Sequence, residues 1–471
     1  MADRTSTVPN FAIPVDTSPI TVTHVLNRLS FGSRSGDRHR VQSMGLDAYI
    51  QEQLHPQTLA EPQHLTQRIQ SLETQSTSAL ELFQQQQQLE QDGKAATQQL
   101  RQQVIKETTQ TRLLRAIDSP RQLQEVMVDF WFNHFNVFLY KGNLSLWLGS
   151  YEQDVIRTHA LGNFRTLLAA TAKHPAMLFY LDNWRNTDPN SSGAVGPYKG
   201  LNENYARELM ELHTLGVDGG YSQADVESLA RILTGWSVIK PGQTSLNEYG
   251  FFFAHNRHDN GKKGFLGTSI APSGIDEGEL ALDLLAYHPS TARHISFKLA
   301  QYFVSDQPPT SLVEDLATEF QATEGDIAKV LWRLFTHSEF WAEEHQQTKF
   351  RTPYQYVMAI ARTIGLTDPS TSILDNLKGT LYNLQMPLYQ CRPPDGYAQT
   401  QDKWLSPDAV LRRINVVNRL AKTYRAELAD VEGVMATIHH QFSDQSQVAI
   451  QAAPPRLKAA LVLGSPEVMY R

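Results

Sequence analysis

Residues 123 to 138 read LQEVMVDFWFNHFNVF, and they are apolar on nearly every side of a helix. A helix of that kind cannot face water. It must be surrounded by other elements, and so it demands a large multi-layered body. Ser119-Pro120 just ahead of it reads as a helix start, with Ser119 as N-cap and Pro120 at the first helical position. Asn133 and His134 stand inside the aromatic run. A histidine there is either a hydrogen-bonded core residue or a ligand.

The second informative stretch is GLNENYARELMELHTLGVDGGYSQADVESLARILTGW, residues 200 to 236. At about 100° per residue, Glu203, Asn204, Arg207, Glu208 and Glu211 share one side of a helix over 201–214. Tyr205, Ala206, Leu209, Met210 and Leu212 share the other. The steps Glu203 to Arg207 and Arg207 to Glu211 allow a chain of i,i+4 ion pairs. His213 falls on the apolar side, which favours a core role. Gly216 and Asp218-Gly219-Gly220 end the helix. Ser222 and Asp225 form a capping box for the next.

This polar face has two readings. One is a structural network of Glu208, Glu211, Arg207, Lys263 and His134. The other is a site, because buried carboxylates must be paired or coordinated. In that reading Glu208, Glu211, Arg207 and Asn204 do acid–base work. His134, Glu208, Glu211, His258 and Asp259 supply donors for a divalent metal, with Fe(II), Mn(II) or Zn(II) the ions this set suits. The Glu-x-x-His pair of di-metal helical bundles is absent from the helix.

The rest of the chain supports a mainly α fold, a multi-helix bundle with two additions. Residues 62 to 117, with five glutamines at 84 to 88 among others, read as a protruding helical hairpin turning near Asp92-Gly93. It is a solvated spacer or a partner-binding arm. Residues 240 to 270 change period and read as a β-hairpin turning at Asn260-Gly261. Residues 1–19 form a tail, 20–425 the main domain, and 426–471 two or three further helices. The Pro-rich loop 386–404 has Tyr397 and Trp404 as aromatic walls of a lid, or as inward-packed rings. His174 and His288, each before a proline, read as helix-end residues that favour the C-terminal dipole.

Several pieces together resemble the bacterial "domain of unknown function 1800" family. They are HVLNRLSFG (24 to 32), FWFNHFNVF (130 to 138), HPAMLFYLDN (174 to 183), NENYARELMELHTLGV (202 to 217), HDNGKKGFLG (258 to 267), MPLYQCRPPDGY (386 to 397) and GSPEVMYR (464 to 471). They run in order over nearly the whole chain. The resemblance implies a mostly helical fold and no established activity. Relatives are often encoded beside a second exported family, which implies a protein partner.

Composition excludes other classes. The net charge is −7 and no basic stripe recommends nucleic acid. No apolar run approaches the length that spans a bilayer. Cys391 is the only cysteine, which excludes an intrachain disulfide and a thiolate metal cluster. The N-terminus has no signal-peptide core, so the expected location is cytoplasmic. The alternative is an exported protein whose leader has been removed.

Overall fold

The computed structural model describes residues 13–471, apart from residues 15, 241, 425–427, 429 and 439–441. Most of the expected tail, 1–19, therefore lies outside the described residues. The described residues are 62% helix and 4% strand. Among the described residues no helix is long and apolar enough to cross a membrane.

The apolar run forms the helix Gln122–His134, starting two residues later than Ser119-Pro120 suggests. Ser119 Oγ instead accepts from the Arg121 N–H at 3.1 Å, in the turn ahead of the helix. Val126, Met127 and Trp131 are fully buried. Trp131 stacks on Phe135, and its Nε1 donates to the Ala160 carbonyl at 2.9 Å. The helix packs against Leu46–Leu54, Lys94–Asp118 and the π-helical turn Tyr151–Arg157.

Polar side chains lock this packing. Arg112, in the helix Lys94–Asp118, donates to Asp129 at 2.7 Å and to Glu152 at 2.7 Å. Its guanidinium lies over Phe132, Tyr354 and Tyr389 at 5.0–5.4 Å. Tyr389 donates its hydroxyl to Glu152 at 2.9 Å.

The Gln-rich segment is a helical hairpin, Ala79–Asp92 and Lys94–Asp118, turning at Gly93 with φ +110°. Ser78 and Glu81 close a capping box at its start. The hairpin is not a free arm along its whole length. From Thr108 to Leu114 every residue of the second helix is buried.

The β region departs from the expected single hairpin. Among the described residues there are two antiparallel pairs: β1 (Trp236–Val238) with β2 (Phe251–Phe253), and β3 (Lys263–Phe265) with β4 (Thr268–Ile270). The tight turn falls at Leu266-Gly267, with φ +47° and +76°, and not at Asn260-Gly261. Asp259 Oδ1 accepts from the Gly261 N–H at 2.7 Å, so that sequence makes a side-chain-closed bend outside any ladder. Leu266 tolerates its left-handed backbone because Asp225, the capping-box residue of the neighbouring helix, accepts its N–H at 2.9 Å.

His174 and His288 do sit at helix ends, but at the beginning of the helix that follows. Their Nδ1 atoms accept from the Ala176 and Ser290 N–H groups. A neutral imidazole caps an N-terminus as an acceptor, so the C-terminal dipole argument does not apply to them. At the other end of the chain, three helices (Val431–Ile438, Asp444–Ala452, Pro455–Leu463) follow the helix Pro407–Thr423. Tyr470 bridges back to Phe350.

Packing reverses a general rule at Gly278, inside the helix Asp276–Ala286. A Cβ there would meet Trp236 Cζ2 at 2.1 Å, and Trp236 is fully buried. Glycine to alanine in a helix ordinarily gains up to about 1 kcal/mol. Gly278→Ala should instead lose roughly 1–3 kcal/mol through overpacking. Gly379 in the helix Thr371–Asn383 has open space around its Cβ position. Urea unfolding should therefore move in opposite directions for Gly278→Ala and Gly379→Ala.

Candidate functional site

The 204–211 helix is shorter than the 201–214 expected. Its polar face is laid out differently from an ion-pair chain. Arg207 pairs with Glu203 at 3.0 Å and with Gln223 at 3.0 Å; Glu211 is not its partner. The pair is well exposed, so it contributes on the order of 0–1 kcal/mol. Asn204 Nδ2 donates to the Leu181 carbonyl at 3.1 Å and fixes the helix start. Arg207 and Asn204 are thus engaged in structural contacts. Glu208 and Glu211 remain half-buried on the same face. Burial first, then repulsion from Glu211, pushes the Glu208 carboxyl above its ordinary range.

His258 and Asp259 belong to a different neighbourhood, beside β3. His258 Nε2 meets Glu277 Oε1 at 3.1 Å, and its Nδ1 lies 2.9 Å from the Thr234 carbonyl. Lys263 donates to Glu277 Oε2 at 2.5 Å, and the Ser273 N–H donates to Oε1 at 3.0 Å. Lys263 therefore serves Glu277 and not Glu208 or Glu211. Asp259 pairs with Arg231 at 2.6 Å. This network is closed on itself. Burial alone would raise the Glu277 carboxyl, but His258, Lys263 and the backbone donors outweigh burial and hold it below the usual range.

The five donors His134, Glu208, Glu211, His258 and Asp259 therefore do not form one preassembled group. Among the described residues, the one trio of such side chains with ligand atoms within 4.8 Å of one another is Glu339, Glu344 and His345. His345 is buried and Glu339 half-buried, and Glu344 is 77% exposed in its side chain.

What does gather near the 204–211 helix is a set the sequence reasoning did not assemble. His134 Nε2 donates to the His213 carbonyl at 3.1 Å. The His134 ring lies 6.1 Å from the His213 ring and 6.3 Å from His294. His294, in the helix Pro289–Phe303, donates from Nε2 to the Leu212 carbonyl at 3.3 Å. His134 Nδ1 and His213 Nε2 are buried without a hydrogen-bond partner. Burial is the main cause that keeps all three imidazoles neutral. It lowers His213 to about 3 and His294 to about 4. The Lys298 cation, one turn after His294, pushes the same way. Lys298 is itself lowered by burial, while Asp395 draws it back up. Asp395 also acts on Glu208.

The loop 386–404 delivers Asp395. Asn133 accepts from the Tyr397 N–H at 2.7 Å and donates to the Tyr397 carbonyl at 2.8 Å. Asn136 donates to the Cys391 and Pro393 carbonyls. Gly396 is required at this seam, since its φ is +76° and a Cβ would lie 2.3 Å from the Asn133 oxygen. Tyr397 and Trp404 pack inward, and the Tyr397 hydroxyl donates to the Pro387 carbonyl at 2.8 Å. The loop is pinned, in agreement with the inward-packed alternative. Burial raises the Cys391 thiol to about 11, which disfavours the thiolate.

A cleft of about 310 Å³ reaches this cluster. Leu215, Gly216, Ser290, His294 and Phe297 are among its walls. Gly216 makes the close approach possible, since a Cβ there would meet His294 Nδ1 at 2.9 Å. In the sequence, His213 sat on the apolar side of its helix and gave no sign of its neighbours. Asp395 lay in a turn motif, and His294 and Lys298 carried only an unremarked i,i+4 spacing.

The acid sensitivity of this cluster has a definite sign. Each imidazole binds its proton more weakly in the folded chain than in the unfolded one. Its full contribution is present above the ordinary pKa of 6.5 and is lost as pH falls toward the folded value. Stability should drop below pH 6.5, with a slope of at most about 1.4 kcal/mol per pH unit for each group. His213→Phe should flatten that slope in thermal unfolding followed from pH 7 to pH 4. The Glu277 network adds a second, lower window. Its contribution is present above the ordinary 4.5 and is lost as pH falls through the depressed folded value, a loss that Glu277→Gln should remove.

Comparison with known sequences and structures places the chain in a family and adds no activity. The model of the family described as "Protein of unknown function (DUF1800)" matches residues 24–470, and the chain belongs to that family. No curated protein and no solved structure matches.

Proposed function

We propose that this member of the DUF1800 family is an enzyme that runs acid–base chemistry between Glu208 and Lys298. The observation that carries the reading is the opposite displacement of the two groups around one carboxylate. Glu208 is raised by burial and by Glu211, and Lys298 is lowered by burial, with Asp395 acting on both. A carboxyl displaced upward and an amine displaced downward are the pattern of a site that carries both a base and an acid. Glu208 takes the substrate proton as general base. Lys298 returns a proton as general acid, and Asp395 sets how much of it is charged. The cleft has His294 in its wall, one turn before Lys298 on the same helix.

A divalent metal is the second reading, and the partnerless ring nitrogens of His134 and His213 support it. Neutral imidazoles are the form that ligates Fe(II), Mn(II) or Zn(II). An ion would draw the three rings together, with Glu208 as the carboxylate. A non-enzymatic scaffold, with the exposed outer half of the Gln-rich hairpin as a partner arm, rests on that exposure alone.

Lysine reactivity tests the first reading without a known substrate. At pH 7 an amine-directed acylating reagent should modify Lys298 ahead of the exposed Lys403, as read by peptide mass spectrometry. Asp395→Asn should speed the labelling, because it removes the charge that holds the proton on. Labelling of Lys298 with the pH profile of an ordinary lysine in both proteins would sink the proposal. Once a substrate is found, Glu208→Gln should lower kcat by roughly 10²–10⁴-fold. Elemental analysis decides the metal reading. Stoichiometric Fe, Mn or Zn in the wild type, lost in His134→Ala and His213→Ala, would establish it, and metal-free wild type after reconstitution would remove it.

A further inference from the structure

Away from this cleft, five basic side chains are buried together where the first helix, the 345–351 segment and the end of the chain meet. They are Arg28, Lys349, Arg351, Arg413 and Arg471, each at most 2% exposed. They stitch these segments together. Arg351 donates to Asn27 Oδ1 at 2.8 Å and to the Tyr470 carbonyl at 3.2 Å. Arg413 donates to the Arg351 carbonyl at 2.6 Å, and Arg471 donates to the Tyr302 carbonyl at 2.8 Å. Arg28 donates to the His345 carbonyl. Lys349 pairs with Asp306.

The side chains of the cluster carry more positive charge than negative, and the main-chain carboxyl of Arg471, which accepts from the Lys349 N–H at 3.2 Å, lies beside them. Asp306 is the one carboxylate among the described residues that ion-pairs with any of the five, and it also accepts from the Gln401 N–H at 2.7 Å. Asp129, the next acid, already belongs to Arg112. Carbonyl oxygens and the rings of Tyr302, Phe350 and Tyr356 solvate the guanidiniums, but they carry no net charge. Arg28 Nε and Nη1, Arg351 Nη1, Arg413 Nη1 and Arg471 Nε remain buried without partners. The cations also depress one another: Arg471 and Arg351 act on Arg28, and Arg471 and Arg413 act on Arg351. Neutral dipoles can satisfy N–H groups, but they do not balance several uncompensated charges in a low dielectric.

We propose that this cluster is a binding site for a small tetrahedral oxyanion, of the phosphate or sulfate class, held by the free guanidinium edges of Arg28, Arg351, Arg413 and Arg471. Planar guanidinium forks match such an anion in shape as well as charge. The bound anion ties the helix Pro19–Leu29, the 345–351 segment, the helix Pro407–Thr423 and the chain end into one unit. The site is separate from the Glu208–Lys298 pair and does not depend on that reading.

The test uses the full chain, purified in chloride and dialysed against it. Inorganic phosphate and sulfate are titrated at constant ionic strength. Thermal unfolding and calorimetric titration are followed together, and acid-denatured protein is assayed for phosphate retained from expression. The expected result is a saturable rise in Tm with a tetrahedral oxyanion and not with chloride, or stoichiometric phosphate carried through purification. Arg351→Lys keeps the charge and removes the fork, so it should weaken phosphate binding by at least about tenfold while the protein still folds. Glu203→Gln, on the surface elsewhere, should leave binding unchanged. A wild-type protein that carries no phosphate and gains equally from chloride, phosphate and sulfate would overturn the proposal. So would an Arg351→Lys protein that binds phosphate as tightly as wild type.

Discussion

The buried guanidinium of Arg112 is the interaction on which the rest of the structure depends. It takes two carboxylates from two different elements, Asp129 and Glu152, and it lies among three aromatic rings. Removing one partner of such a pair leaves an uncompensated buried charge, which costs about 3–5 kcal/mol. The arrangement fixes the roll of the 122–134 helix about its own axis. It also fastens the inner half of the Gln-rich hairpin to the core, which is why that hairpin is a wall of the body at one end and a surface feature at the other. Arg157, in contact with Glu125, extends the same locking along the helix.

Once the roll of that helix is set, its end and the residues just after it divide three polar side chains between two tasks. Asn133 exchanges two hydrogen bonds with Tyr397 and so pins the loop that carries Asp395. Asn136 holds the same loop through the Cys391 and Pro393 carbonyls. His134 points the other way, toward the His213 backbone and the helix that bears His294 and Lys298. A single helix end therefore positions groups that are far apart in the sequence. The α-helical packing is the scaffold, and the chemistry lies in the segments it pins.

Local signals survived into the structure where local energy decides. Ser222–Asp225 caps its helix as the sequence suggested, and the hairpin turns at Gly93. The apolar run 123–138 is buried as its composition requires. Local signals failed where a competing partner decided. Asn260-Gly261 carries the strongest short-range hairpin pattern in the chain, yet Asp259 closes it as a bend. The tight turn moved to Leu266-Gly267, where Asp225 of a neighbouring helix holds the backbone. Arg207 chose Glu203 and Gln223 over Glu211 for the same reason, because Gln223 arrives from the next helix.

The sequence by itself determined the helical class, the ends of many helices and the polar side of the 204–211 helix. These follow from periodicity and from capping groups, which act over three or four residues. Only the tertiary structure decided which side chains meet. It sent His258 and Asp259 to Glu277 and Arg231, set His213 and His294 beside His134, placed Asp395 where it acts on both Glu208 and Lys298, and gathered five cations at the chain end. The physical reason is that burial and electrostatic partnership depend on distances through space. Those distances are set by how whole helices roll and cross, and no spacing along the chain records them.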